Sequence, residues 1–124
     1  MNPIDLRFNE LHATARLDEG ALHLALTGTA DATSESALGG VITRLHLEAQ
    51  QAAAREAIVD LRALEFMNSS CFKAFITWIV AVDKLPPTQR YRIRFLCNPA
   101  IHWQKRSLRA MVHFGGDIVT VENV

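Results

Sequence analysis

The sequence predicts an α/β fold in which a mixed β-sheet carries helices mainly on one of its faces. Strand-like alternation of apolar and polar residues gives way repeatedly to helix-like spacing, in the order β-β-α-β-α-β-α-β. Several of these strands alternate strictly, as expected when one sheet face packs on helices and the other meets solvent. The length of 124 residues suits a single domain spanning residues 1–124.

The first two predicted strands form a β-hairpin. Residues 11–17 and 21–27 each alternate apolar and polar side chains, and Asp18-Glu19-Gly20 lies between them. Gly20 tolerates the positive φ that a tight turn requires. Two alternating runs around a short turn of this kind are typical of a hairpin.

A first helix is predicted from about Thr33. Asp31, Thr33 and Ser34 are candidate N-cap residues, and the apolar residues that follow have helical spacing: Leu38, Val41, Ile42, Leu45, Ala49 and Ala52. Gly39-Gly40 lies inside this pattern, although each glycine costs a helix about 1 kcal/mol. The pair therefore suggests close packing against a neighbouring element.

A buried strand at residues 57–61 and a loop at residues 62–67 are predicted to lead into a second helix. The apolar stripe of this helix consists of residues at positions i, i+3, i+4, i+7 and i+8: Phe72, Phe75, Ile76, Ile79 and Val80. The Pro86-Pro87 pair ends the helix.

A further strand, helix and strand complete the predicted fold. Residues 91–97 alternate as a strand, and Asn98-Pro99 is typical of a helix start, so a third helix is expected from Ala100. Gly115-Gly116 ends that helix, and residues 118–121 form the last strand. Repeated strand-helix-strand units predict parallel pairing after the hairpin.

Composition disfavours several classes of function. Thirteen basic and thirteen acidic residues cancel, which argues against a nucleic-acid partner because phosphate binding requires a basic surplus. No apolar run approaches the length of a membrane span, and the amino terminus does not have the pattern of a secretion signal. We therefore expect a cytoplasmic protein that has no membrane association.

Catalytic and metal-binding patterns are absent from the sequence. Cys71 and Cys97 lack C-x-x-C spacing, so we expect them to be reduced. The histidines lie in no recognisable ligand or catalytic motif, and no Gly-rich phosphate loop is present. The sequence thus predicts no metal, no cofactor and no enzymatic activity.

The segment Asn68-Ser69-Ser70 is the most informative candidate site. It places two hydroxyls where the second helix begins, and the first turn of a helix has unpaired N–H groups and a partial positive charge. A phosphoserine, which carries about −1.5 to −2 charges, fits such a location. The alternative interpretation is ordinary helix capping, which stabilises a helix by about 1 kcal/mol.

This segment resembles the hallmark of the STAS domain, which anti-sigma factor antagonists and sulfate transporter tails share. The hallmark, two hydrophobic residues followed by Asp-Ser-Ser-Gly, corresponds here to Phe66-Met67-Asn68-Ser69-Ser70-Cys71. The upstream Thr27-Gly28-Thr29-Ala30-Asp31 resembles the family's Gly-x-x-Asp ending of the second strand, and the element order agrees over nearly the whole chain. The resemblance implies a STAS-like fold.

The resemblance also implies a regulatory function. In the antagonist branch, the first serine of the pair is phosphorylated by an anti-sigma factor that is also a serine kinase, and a phosphatase is a further implied partner. The unphosphorylated form binds that factor and frees the sigma factor. By position the phosphorylated serine is Ser69, with Ser70 as the alternative, and the expected partner-binding residues are Asn68, Ser69, Ser70, Lys73 and Trp78.

Two departures from the hallmark keep other interpretations open. Asn68 replaces the usual Asp, which removes a like charge beside any phosphate, and Cys71 replaces the usual Gly. One alternative is a STAS-like scaffold or assembly subunit that is not phosphorylated. Another is a small-ligand-binding domain or a thiol-dependent enzyme, in which the helix N-terminus lowers the pKa of Cys71. The sequence assigns no oligomeric state.

Overall fold

The computed structural model describes all 124 residues as a six-stranded sheet with three α-helices and two short 3₁₀ turns. The strands are β1 (Ile4–Phe8), β2 (Leu11–Asp18), β3 (Ala21–Ala30), β4 (Glu56–Met67), β5 (Arg92–Cys97) and β6 (Val119–Asn123). The helices are α1 (Glu35–Gln51), α2 (Ser69–Asp83) and α3 (His102–Gly115), and the 3₁₀ turns are Ala32–Ser34 and Pro87–Gln89.

The strands lie in the sheet in their chain order, and the sheet is mixed. β1, β2 and β3 pair antiparallel, whereas β3, β4, β5 and β6 pair parallel, with one helix in each parallel connection. Alternate residues of β2, β3 and β5 are buried, as expected for a sheet with helices on one face. The predicted fold class is confirmed. None of the helices combines the length and the apolar character needed to cross a bilayer.

The hairpin forms as predicted, and an additional strand precedes it. Glu19 and Gly20 both have positive φ in the two-residue turn between β2 and β3, which is the geometry that the twist of a hairpin favours. β1 pairs with β2 around a second short turn in which Asn9 has a φ of 51°. The observed order therefore has one more amino-terminal strand than the predicted order.

β4 continues through the segment predicted as a loop. Residues 63–67 pair with β3 up to Met67, which lies opposite Ala30, but the register shifts twice along the way. Because of these shifts, every third residue rather than every second is buried in this half of β4, and strand periodicity is lost. Gly28 lies at one shift with a φ of +89°, and a Cβ there would overlap the Glu10 carbonyl oxygen.

The third helix begins later than predicted. Asn98 does not cap it: its side-chain oxygen accepts a hydrogen bond from the Ala100 N–H at 3.0 Å, and α3 starts at His102. The amide side chain of Gln104, only 1% exposed, bonds to the backbone N–H of Asn98 and to the carbonyls of Leu61 and Leu64. The first turn of α3 thus satisfies carbonyls of β4 that lie beyond the part of β4 paired with β5.

Gly39 and Gly40 do not pack closely against another element. No heavy atom of another element lies within 4 Å of the position that a Cβ would occupy at either glycine. The expectation of close packing there is wrong, and nothing within the chain explains the glycine pair.

Candidate functional site

The candidate site lies where β3 and β4 end side by side. Ala30 and Met67 form the last pair of the two strands, and the Asn68 N–H donates to the Ala30 carbonyl at 2.9 Å. Asp31 and Asn68 are the next residues of each strand, and each begins a helical turn. Parallel pairing therefore brings the two motifs that the sequence singled out to one edge of the sheet.

Asn68 caps α2 with its side-chain oxygen. This oxygen accepts hydrogen bonds from the backbone N–H of Cys71 at 3.1 Å and from the hydroxyl of Ser70 at 2.8 Å. Both bonds satisfy groups at the start of the helix. The half-buried Ser70 hydroxyl is consequently engaged within the chain.

Ser69 differs from Ser70 both in its exposure and in the hydrogen bonding of its hydroxyl. It is the first residue of α2 and is exposed, and its hydroxyl has no hydrogen-bond partner in the chain. Ser69 is therefore the hydroxyl of the pair that an enzyme can reach without disturbing the helix cap.

Asp31 places a carboxylate beside this edge. Its side-chain oxygen accepts hydrogen bonds from the hydroxyl of Thr33 and from the Thr33 N–H at 3.0 Å, with a longer bond from Ser34. The bond from the Thr33 hydroxyl is the main cause that lowers the pKa of Asp31 below its ordinary value. Asp31 is thus ionised at neutral pH.

Cys71 is buried, and its thiol donates to the Asp31 carbonyl oxygen at 3.4 Å. Burial is the main cause that raises the pKa of Cys71, and the charges of Glu35 and Asp31 raise it further. The alternative in which the helix N-terminus lowers the thiol pKa is therefore not supported, because burial and these two charges oppose the helix dipole. Two carboxylates, those of Glu35 and Asp31, therefore lie near enough to the Cys71 thiol to raise its pKa.

Lys73 lies close to the serines, as expected. It is exposed on α2 and lines, with Ser70, Glu35 and Ser36, a groove of about 520 Å³ between the first turns of α1 and α2. A cation, a carboxylate and hydroxyls therefore share this groove.

Trp78 does not belong to this surface, and its prediction as a partner-binding residue is wrong. It is 2% exposed, and its indole N–H donates to the Tyr91 hydroxyl at 2.7 Å. The buried stripe of α2 consists of Cys71, Phe75, Trp78, Ile79 and Val82. The predicted stripe instead included Val80, which is 41% exposed. The buried side of α2 is therefore rotated relative to the predicted one.

Trp78 belongs to a hydrogen-bonded chain that the sequence analysis missed. The Tyr91 hydroxyl accepts from Trp78 and lies 2.6 Å from Nδ1 of His46 on α1. Because an indole nitrogen can only donate, the Tyr91 hydroxyl accepts from Trp78, and its own proton is available to an unprotonated Nδ1 of His46. Burial lowers the pKa of His46, and it raises the pKa of Tyr91.

From the hydrogen bonds among Trp78, Tyr91 and His46, we expect the protein to lose stability in mild acid. Because the pKa of His46 is lower in the folded state than the ordinary 6.5, the unfolded chain binds a proton first as pH falls. The free energy of unfolding should therefore decrease as pH falls below about 6.5. Urea unfolding between pH 7.5 and 5 measures this decrease.

The variant His46→Gln keeps a side-chain acceptor for Tyr91 but cannot titrate. Its free energy of unfolding should decrease less between pH 7.5 and 5 than that of the wild type. His113→Gln, at an exposed histidine of α3, should show the same decrease as the wild type. If the free energy of unfolding had the same pH dependence in the wild type and in His46→Gln, then His46 would not be the acid-sensitive residue.

The basic residues of α3 form a solvated face. Lys105, Arg106 and Arg109 are exposed, while Trp103 is half-buried and donates its indole N–H to the Leu64 carbonyl at 3.1 Å. Trp103 is thus an anchor for β4.

Nowhere in the chain do three His, Cys, Asp or Glu side chains form a group that could hold a metal ion.

Comparison with known proteins shows what this fold is similar to. No family model matches the sequence, and no curated protein matches it. Among solved structures, an anti-sigma factor antagonist from Mycobacterium paratuberculosis superimposes with a TM-score of 0.69 at 14% identity, covering 96% of this chain and 92% of that one. The likeness establishes the fold: the chain has the STAS-like architecture that its sequence predicted.

Proposed function

We propose that the protein is a regulatory protein-binding module that is switched by phosphorylation of Ser69. The observation that carries this proposal is the contrast within the serine pair: Ser69 is exposed and free of hydrogen bonds, whereas Ser70 is bonded to Asn68. The structural neighbour, an anti-sigma factor antagonist, supports a function in which a protein partner is bound.

A phosphate on Ser69 is compatible with the fold. It would extend from the first residue of α2, where the helix dipole favours negative charge. Asn68 keeps its cap through a neutral amide, so no carboxylate from that position opposes the phosphate. Phosphorylation should consequently leave the domain folded.

The same phosphate would change the surface that a partner meets. The carboxylates of Asp31 and Glu35 already act on this end of α2, and phosphoserine adds about −1.5 to −2 charges beside them. A partner that covers the Ser69 hydroxyl would have to bury that charge or be repelled by it. Phosphorylation therefore releases the partner. The surface that the partner contacts also includes Asn68, Ser70 and Lys73.

The partner that best fits this scheme is an anti-sigma factor that is also a serine kinase. It would bind the unphosphorylated chain, phosphorylate Ser69 and dissociate. A phosphatase would then restore the binding form. In this scheme the protein itself catalyses no reaction.

Intact mass spectrometry of the protein purified from its native host tests the switch. We expect a species heavier by about 80 Da, the mass of one phosphate, that is absent from Ser69→Ala and present in Ser70→Ala. An increment lost only in Ser70→Ala would place the switch on Ser70. No increment under any growth condition would contradict the switch and favour an assembly subunit that is not phosphorylated.

A further inference from the structure

A cavity that is open to solvent lies at the opposite end of the sheet from Ser69. It has a volume of about 670 Å³ and lies where β4 and β5 begin, next to the turn between α3 and β6. β4 spans 12 residues, so its two ends are about 36 Å apart. The cavity is therefore separate from the serine site.

Three arginines line this cavity: Arg55 directly before β4, and Arg90 and Arg92 around the start of β5. None of them forms an ion pair, in contrast to Arg62, which pairs with Asp60 at 2.8 Å. Because the whole chain has a net charge of zero, three unpaired guanidinium groups in one cavity are a local concentration of positive charge.

The acidic residues of the cavity do not balance these arginines. Glu56 is already paired with Arg94 at 3.0 Å. Asp117 is exposed and unpaired, and it is the one remaining carboxylate in the cavity wall. The cavity thus keeps an excess of positive charge.

Hydrogen bonds hold two of the arginine side chains in place. The guanidinium of Arg55 donates to the Glu19 carbonyl at 3.1 Å, and that of Arg90 donates to the Leu85 carbonyl at 3.0 Å. The Arg92 N–H donates to the Arg55 carbonyl at 3.1 Å, which ties the two segments together. Each guanidinium retains further N–H donors, since it has five.

We propose that this cavity binds a small polyanion that carries two or more phosphate or carboxylate groups. The planar fork of arginine pairs with both of these groups through two parallel hydrogen bonds. The cavity also lies within the size range of small-molecule sites, about 300 to 1,000 Å³. This proposal does not depend on the serine switch.

Isothermal titration calorimetry with inorganic pyrophosphate and with citrate, at constant ionic strength, tests the site. We expect saturable binding of one anion per chain by at least one of the two, and comparison of the two distinguishes phosphate from carboxylate recognition. Arg92→Ala should weaken that binding by about tenfold or more. Arg92 is exposed and its side chain has no intramolecular hydrogen bond, so the variant should fold.

Two further variants complete the test. Asp117→Asn removes the opposing charge and should strengthen binding, whereas Arg109→Ala, at an exposed arginine of α3 outside the cavity, should leave it unchanged. The proposal is overturned if neither anion saturates the wild type, or if Arg92→Ala binds the anion as tightly as the Arg109→Ala control does.

Discussion

Ser69→Glu is expected to weaken binding of the protein partner by about a hundredfold, while Ser69→Ala retains it. The glutamate places a permanent negative charge at the first residue of α2, two residues before Cys71, whose pKa the carboxylates of Glu35 and Asp31 already raise. Truncating or opposing a charge in a desolvated contact costs about 2 to 5 kcal/mol of binding free energy. Affinity purification with each variant, followed by titration against the partner that the wild type captures, measures the loss.

A matched control distinguishes the effect of a negative charge at residue 69 from the effect of an added negative charge elsewhere. Gln50→Glu adds the same charge at an exposed residue near the end of α1, and it should bind the partner as the wild type does. Ser69→Glu should also unfold at the same urea concentration as the wild type, because acidic residues are tolerated in the first turn of a helix. Equal partner binding by Ser69→Ala and Ser69→Glu would count against the switch.

Gln104→Leu is expected to lower the free energy of unfolding by about 3 kcal/mol. Leucine keeps most of the volume but leaves the Asn98 N–H and the Leu61 carbonyl without the partners that Gln104 provides. A buried backbone group left without a hydrogen-bond partner lowers the free energy of unfolding by about 1 to 3 kcal/mol. The substitution leaves two such groups. Urea unfolding should show a lower midpoint with an unchanged slope.

Gln50→Leu serves as the control for this substitution. Gln50 is exposed on α1, and such substitutions change the free energy of unfolding by about 0.5 kcal/mol or less. If Gln104→Leu were as stable as Gln50→Leu, the bonds from Gln104 to the β4 carbonyls would not be holding this strand. That strand leads directly into Asn68, so its anchoring also positions the serine pair.

The parts of the fold that the sequence predicted are those encoded by local chemistry. The Asp18-Glu19-Gly20 turn specifies the hairpin because its last residue accepts positive φ, and Asn68 specifies the start of α2 because its side chain can cap it. Alternating strands that share one buried face predict the one-sided arrangement of helices. Each of these signals lies within a few residues of the feature it determines.

The parts that escaped prediction depend on distant contacts. The second half of β4 loses its periodicity because of register shifts against β3, and the role of Gln104 depends on carbonyls some forty residues away in the chain. The orientation of α2 was ambiguous because this helix is apolar on more than one side. Only packing on the sheet and the bond to Tyr91 decide that Trp78 lies inside.

The candidate site shows the same division. Its serines, Asn68 and Lys73 follow from a local motif and lie together in the structure. The unequal engagement of Ser69 and Ser70 does not follow from the sequence, because both have the same chemistry and both adjoin the cap. Geometry distinguishes them, since Asn68 accepts the hydroxyl proton of Ser70 alone.

The central claim is tested most directly by measuring partner affinity on a single preparation before and after stoichiometric phosphorylation of Ser69. We expect the phosphorylated chain to bind at least about a hundredfold more weakly than the unphosphorylated chain, with the same free energy of unfolding. Identical affinities for the two forms would contradict the claim.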